Sequence, residues 1–368
     1  MILCSDPHAQ YLAYKDAIDA AVQKVLESGR YLKGAETEAF ENEFAAYISG
    51  GEIGGGECLG VSNGTDALEI ALTACGVGPG DEVITVSHTA TATAAAIAKT
   101  GALPVFADIN PDTFVMDVVE VEKRVTEKTK AIIPVHLYGH PAPMAEIMTF
   151  ARANNLFVIE DCAQAHGAQI NGRKVGSFGD LACFSFYPTK NLSALGDAGG
   201  IVSSNSELLN RCRTLSQYGW QERFVSSSAG WNSRMDEVQA AVLRIKLAHL
   251  EDTTEARRTL ASIYHEGLAE APVGLPVTEE QCRHVFHLYV IKSDRRDAML
   301  KFLETRGINA AVHYPVPVHC QPAYASGVNL PVTEKIADSI ISLPMYPELG
   351  DRIEEVVSAV NAFQDAVS

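Results

Sequence analysis

No two of the eight cysteines, at positions 4, 58, 75, 162, 183, 212, 282 and 320, are spaced C-x-x-C. That absence argues against a zinc ribbon or a thioredoxin-type redox site. No apolar run approaches the roughly 18 residues needed to cross a bilayer. The start, MILCSDPHAQ, lacks the basic residues and apolar stretch of a signal peptide. A reduced, cytoplasmic protein is expected. Positive charge is also scarce: 29 Lys and Arg stand against 46 Asp and Glu, a net charge of −17. So acidic a surface repels phosphate backbones, which excludes nucleic acid and anionic membrane as partners. One local cup of backbone N–H groups can still hold a small phosphorylated ligand. Neither G-x-G-x-x-G nor G-x-x-x-x-G-K-[ST] occurs, so a Rossmann dehydrogenase and a P-loop enzyme are disfavoured. The glycine patch GGEIGGGE (50–57) reads as a surface loop.

What is present is a large core. Of 368 residues 47% are apolar, more than one ordinary core accommodates, so two domains are expected. Seven β-rich runs follow one another: ECLGV (57–61), EVITV (82–86), LPVFA (103–107), AIIPV (131–135), LFVIE (156–160), LACFSF (181–186) and GIVSS (200–204). Helical stretches closed by Gly or Asn fill most of the earlier gaps, for example TDALEIALTAC before Gly76. This alternation predicts an α/β fold with a mostly parallel seven-stranded sheet covered on both faces. Ser204 and Glu207 have the spacing of a capping box. A single long helix is expected from Met235 to about Leu268, linking a large domain (1–245) to a smaller C-terminal α/β domain (246–368) on which the first residues pack.

The histidine pairs His136/His140 and His284/His287 invite a metal reading. Gly139 and Pro141 break any helix through the first pair and the second leads into a strand, so no metal site is expected. Three segments carry more. SNGTDAL (62–68) lies where a strand ends and a helix begins, placing the N–H groups of Gly64 and Thr65 at the positive end of the helix dipole. FVIEDCAQAHGA (157–168) is an apolar strand ending in Glu160 and Asp161, at the edge where open parallel sheets bind ligands. FSFYPTKNLSALGDAGG (184–200) sets Lys190 after an aromatic strand, where burial lowers an amine's pKa. A phosphate cup, a carboxylate for a ring nitrogen and a lysine amine for an aldehyde are the parts that hold pyridoxal phosphate.

Together with GWNSRMDEVQAAVL (230–243) and HYPVPVHCQPAY (313–324), these segments resemble the DegT/DnrJ/StrS aminotransferases, which act on nucleotide-linked keto-sugars. The likeness runs from LESGRYLKGAETEAFENEFAAY (26–47) to SLPMYPEL (342–349). It implies the fold-type-I aminotransferase architecture and a homodimer with active sites at the interface. It also implies that Lys190 binds the cofactor aldehyde and shuttles the proton, that Asp161 pairs with the pyridinium nitrogen, and that Gln164 lies near the ring. Gly64, Thr65 and Ser185 would hold the phosphate, joined by Asn232 from the partner subunit. Tyr187, His313, Tyr314 and His319 would lie near the sugar. KNLSALGDAGG (190–200) is similar to members that aminate carbon 3, implying a dTDP-linked 3-keto-6-deoxyhexose as acceptor; L-glutamate is the expected donor of such a transaminase.

Three departures from the family pattern stand out. Ala90 occupies a position where relatives carry an aromatic residue over the ring. Ser193 and Ala198 replace glycines and are expected to reshape the sugar pocket, and the patch at 50–57 is longer than usual. The alternatives are a sugar dehydratase of the same family, a carbon-4 or UDP-sugar aminotransferase, a non-catalytic cofactor or sugar-nucleotide sensor, and an enzyme acting on amino acids alone.

Overall fold

The computed structural model describes residues 1–51 and 56–365, so part of the glycine patch at 50–57 lies outside the described residues. Seven strands form the central sheet: β1 (Glu57–Val61), β2 (Glu82–Val86), β3 (Leu103–Ala107), β4 (Thr129–Ile132), β5 (Phe157–Asp161), β6 (Leu181–Ser185) and β7 (Gly199–Ser203). Their order is β1-β7-β6-β5-β4-β2-β3. All neighbours are parallel except β7, which is antiparallel to both β1 and β6. Between β6 and β7 the chain makes no helical crossover. It turns through the loop 186–198 and returns beside the strand it left. The carboxyl ends of β1, β5 and β6 therefore share one edge of the sheet.

Helices cover both faces because the strands are apolar on both sides. Gly64–Ala74 buries Ala67, Leu68, Ile70, Ala71 and Leu72 against one face, with Cys75, Cys183 and Cys212 as free thiols in the same core. Ile84, Val86, Ile132 and Val158 pack on the other face against Met144 and Ile147. Beyond Leu260 a separate core gathers Tyr264, Tyr289, Ile291, Leu303, Ile341 and Val360 around the antiparallel pair Tyr289–Lys292 and Ile340–Leu343. The N-terminus joins this second core: Ile2 N–H donates to Gly307 O at 2.7 Å, and Asn309 N–H donates to Ile2 O at 2.8 Å. Among the described residues no helix is long and apolar enough to cross a membrane.

Three local expectations differ from the structure. The helix after β7 is capped by Asn205, not Ser204: the Asn205 amide oxygen accepts from the N–H groups of Glu207 and Leu208, both at 3.1 Å. The long helix from Met235 is two helices, Glu237–Leu247 and Leu250–Gly267. His249 stacks on Tyr14 (4.7 Å, 17°) between them, a tertiary contact with no glycine or proline to mark it. The 245/246 division thus falls inside the first of these helices. β4 ends at Ile132, since Pro134 has no N–H for the ladder. The extended chain continues nevertheless, and His136 N–H donates to Asp161 O at 3.1 Å.

That continuation sets His136 beside Glu160, the fully buried neighbour of Asp161. Glu160 Oε1 accepts from the N–H groups of Phe178 and Gly179, and Oε2 from Gly176 N–H, each at 2.8 Å. His136 Nδ1 accepts from Ala142 N–H (2.9 Å), so its Nε2 carries the proton donated to Glu160 (3.1 Å). Burial alone would raise the Glu160 pKa, but His136 and these N–H groups outweigh it and hold the carboxyl below its ordinary value. Glu160→Ala would leave four donors without their acceptor, two of them (His136 Nε2–H and Gly176 N–H) buried, at a cost of about 3–5 kcal/mol in urea unfolding at pH 7. Because the folded pKa is depressed, this contribution is present above the ordinary value of 4.5 and is lost as pH falls through the folded value. The wild-type advantage over the variant should narrow in acid; a gap below 1 kcal/mol at pH 7 would contradict the role.

Candidate active site

The shared strand edge brings the cup, the acid and the lysine together. Gly199 is the register partner of both Val61 in β1 and Ser185 in β6, so the helix that follows β1 starts directly over the end of β6. Asn63 caps that helix, its Oδ1 accepting from Asp66 N–H at 2.8 Å. The N–H groups of Gly64 and Thr65 and the Thr65 hydroxyl have no partner among the described residues. A Cβ on Gly64 would lie 2.7 Å from Ser185 Cβ, so only glycine lets helix and strand end approach this closely. Free donors at a helix N-terminus, beside a serine, form a cup for a phosphate.

Asp161 ends β5, with Cys183 of β6 as its register partner. Its Oδ2 accepts from Thr93 Oγ1 at 2.9 Å and its Oδ1 from Ala163 N–H at 3.1 Å. Burial raises its pKa; the two hydrogen bonds and the Lys190 charge pull the other way without prevailing. A cationic N–H group at this carboxylate would restore the ionised state. Lys190 lies in the turn after β6, its N–H donating to Tyr187 O at 2.8 Å, and Nζ has no hydrogen-bond partner among the described residues. Desolvation lowers its pKa from 10.5 to about 8, with Asp161 opposing. Such an amine is uncharged in an appreciable fraction at neutral pH and able to attack an aldehyde.

Gln164 is buried, its Oε1 accepting from Tyr138 N–H (2.8 Å) and its Nε2 donating to the Tyr314 hydroxyl (3.0 Å). Burial pushes the Tyr314 phenol up to about 12, and His313 Nδ1 meets Ser342 Oγ at 2.8 Å. Tyr187 is exposed. His319 is enclosed, with Nδ1 2.6 Å from Ser87 Oγ and Nε2 3.3 Å from Glu334. Asn232 lies on the surface, where the Arg234 guanidinium donates to its side-chain oxygen. Ser193 is buried, donates to Gln10 Oε1 at 2.7 Å and accepts from Lys246 Nζ at 3.0 Å; Ala198 is buried as well.

Reading the sequence missed several neighbours. Thr93, which orients Asp161, sits in a run of Ala and Thr with nothing to single it out. His166 lies between Phe184 and Phe186, at ring separations of 5.6 and 5.5 Å. Burial and then the Lys190 charge push its pKa down to about 3. His287 is likewise buried, depressed by desolvation and by Lys190, and meets Asn191 Oδ1 at 3.2 Å. Both imidazoles are thus held neutral, and the opposite charge that acts on Lys190 is that of Asp161.

The residues present fit pyridoxal phosphate: an anion cup with free donors, a buried acid without its own cation and an unpaired amine. The protein is a pyridoxal-phosphate-dependent aminotransferase of fold type I. It belongs to the DegT/DnrJ/EryC1/StrS aminotransferase family, whose sequence profile matches residues 13–361. It is 45% identical to the dTDP-3-amino-3,4,6-trideoxy-alpha-D-glucose transaminase of Streptomyces venezuelae, over 98% of this chain and 96% of that one. It is 43% identical to the UDP-N-acetyl-3-dehydro-alpha-D-glucosamine 3-aminotransferase of Acidithiobacillus ferrooxidans, over 94% and 92%. Among solved structures, S. venezuelae DesV in complex with a ketimine intermediate superposes with a TM-score of 0.95, at 44% identity over 100% and 99% of the chains.

The depressed lysine has a measurable consequence. In the cofactor-free protein, acylation of Lys190 followed by peptide mass spectrometry should accelerate through pH 8 and level off above it. A midpoint near the ordinary 10.5 would show an amine exposed to water.

Proposed function

We propose that this enzyme transfers the amino group of L-glutamate to carbon 3 of a dTDP-linked 3-keto-6-deoxyhexose, working as a cytoplasmic homodimer. The observation that carries the chemistry is the unpaired, low-pKa amine of Lys190 facing buried Asp161 at the edge that also holds the cup. The carbon is supported by the relatives: the names of both curated relatives above place the amine at carbon 3, although one carrier is dTDP and the other UDP. The difference in carrier favours one second reading, a UDP-linked 3-keto-sugar as acceptor.

When bound, the cofactor supplies an aldehyde that carries the amine and a ring that accepts electrons. The protein's residues do the rest. Gly64, Thr65 and Ser185 bind the phosphate through N–H and hydroxyl groups, with Asn232 of the partner subunit completing the cup. Asp161, ionised once a cationic ring nitrogen faces it, keeps the proton on that nitrogen, and Thr93 holds the carboxylate in place. Gln164 orients the ring edge through the anchor it takes from Tyr138. Lys190 Nζ would hold the cofactor through its aldehyde and, when not so engaged, would be the base that takes and returns a proton at the substrate carbon. Tyr314, held by Gln164, and His313, held by Ser342, border the sugar with Tyr187 and His319.

Adding L-glutamate to the purified holoenzyme should replace the absorption band of the lysine-bound cofactor with that of its amine form, and a dTDP-linked 3-keto-6-deoxyhexose should reverse the change. Lys190→Ala should abolish turnover, and Asp161→Ala should lower kcat by about three orders of magnitude or more. A band unmoved by glutamate, or reversal only by a UDP-linked sugar, would contradict the donor or the carrier respectively.

A further inference from the structure

The cofactor site leaves one cluster of metal-ligating side chains unexplained. His140, Glu279 and Cys282 place an imidazole nitrogen, a carboxylate oxygen and a thiol sulfur within 4.8 Å of one another. His140 and Glu279 are 139 residues apart, so no spacing in the sequence links them.

The donor atoms are presented as a metal requires. His140 Nδ1 lies 2.8 Å from Pro141 O, and since a carbonyl only accepts, Nδ1 carries the proton. The Nε2 lone pair therefore faces the cluster, where its single partner among the described residues is Glu279 N–H at the long distance of 3.5 Å. A ligating histidine fixed by a hydrogen bond from its other nitrogen to a backbone carbonyl is the usual outer-shell arrangement of zinc sites. The ring is almost wholly buried and held edge-on by His284 at 5.4 Å. Cys282 is fixed by strand pairing with Ile170, and its N–H donates to Glu279 O at 2.9 Å, which turns the two side chains to the same side. Cys282 Sγ lies 3.8 Å from Glu279 Oε2, which accepts from Gln281 Nε2 at 3.1 Å, while Glu279 Oε1 has no hydrogen-bond partner among the described residues. Two ligands of a tetrahedral zinc, one sulfur and one oxygen, stand about 3.6 Å apart. The second set, the wholly buried His136, Glu160 and Cys162, has no such capacity, because both His136 nitrogens and both Glu160 oxygens are already engaged.

We propose that His140, Glu279 and Cys282 form a structural site for a zinc-class divalent cation, remote from the catalytic chemistry. The mixed sulfur, nitrogen and oxygen donor set suits a borderline-soft ion such as zinc rather than magnesium or calcium. On binding, the Cys282 S–H bond gives way to a metal–sulfur bond and the proton goes to solvent; water, or the nearby Glu146 carboxylate, completes four-coordination. The ion would clamp two segments that brace the cofactor cavity from outside. Loop 137–143 supplies the Tyr138 N–H that anchors Gln164, and segment 279–287 leads to His287 beside Asn191.

The test uses the holoenzyme freed of adventitious metal with a chelator. Titration with cobalt(II) should yield one equivalent per chain, with a thiolate charge-transfer band and visible bands of tetrahedral cobalt, both displaced by zinc. Cys282→Ser and Glu279→Gln, at partly exposed positions, should weaken binding at least tenfold and remove the zinc-induced rise in Tm, while kcat with L-glutamate stays within about twofold. Cys320→Ser, which removes an exposed thiol beside His319, should change nothing. Absence of binding below millimolar cobalt, binding that survives both variants, or binding lost in Cys320→Ser would each overturn the proposal.

Discussion

The opposition of a buried carboxylate and a desolvated, half-buried amine organises this molecule. Neither Asp161 nor Lys190 is satisfied alone: burial raises the acid's pKa and lowers the amine's, and each is the other's main charged neighbour of opposite sign. Such a pair is costly to bury, so the fold must supply the burial from elsewhere. The supply is the apolar sheet. The short antiparallel return of β7 then brings the ends of β1, β5 and β6 into line, so that the cup, the acid and the lysine converge.

Support for this edge comes from the opposite face of the same strand. Glu160 and Asp161 are adjacent and point to opposite sides of β5. Glu160 is saturated by His136 and three N–H groups and holds the strand in register; Asp161 has only Thr93 and Ala163 and retains capacity for a cation. One acid secures the scaffold and the other is left for chemistry. The depressed histidines near Lys190 reinforce the division, since neutral imidazoles do not compete with it for the Asp161 charge.

Much of this was legible in the sequence where the signal is local. Seven apolar runs became the seven strands, and SNGTDAL, with Asn63 as its cap, became the helix start over the sheet edge. Asp161 and Lys190 could be singled out because strand ends in parallel sheets face ligands, and both follow apolar strands. What the sequence hid is tertiary. The break at His249 depends on stacking against Tyr14, and the cap at Asn205 won over Ser204 by one residue of register. Ser193 ties the lysine loop to Gln10 in the N-terminal helix and to Lys246 in Glu237–Leu247, partners far from it in the sequence. His140 meets Glu279 and Cys282 only after the chain has crossed to its second core.

Lys190 is not the only lysine with a depressed pKa, and this sets the most direct test. Lys246 is buried and likewise desolvated to about 8, but its Nζ donates to Gln10 and Ser193, whereas that of Lys190 has no hydrogen-bond partner among the described residues. Reducing the holoenzyme with borohydride and mapping the labelled peptide by mass spectrometry distinguishes the two amines. The account predicts the cofactor on Lys190, stoichiometrically and on no other residue. A label on Lys246, or on neither, would contradict it.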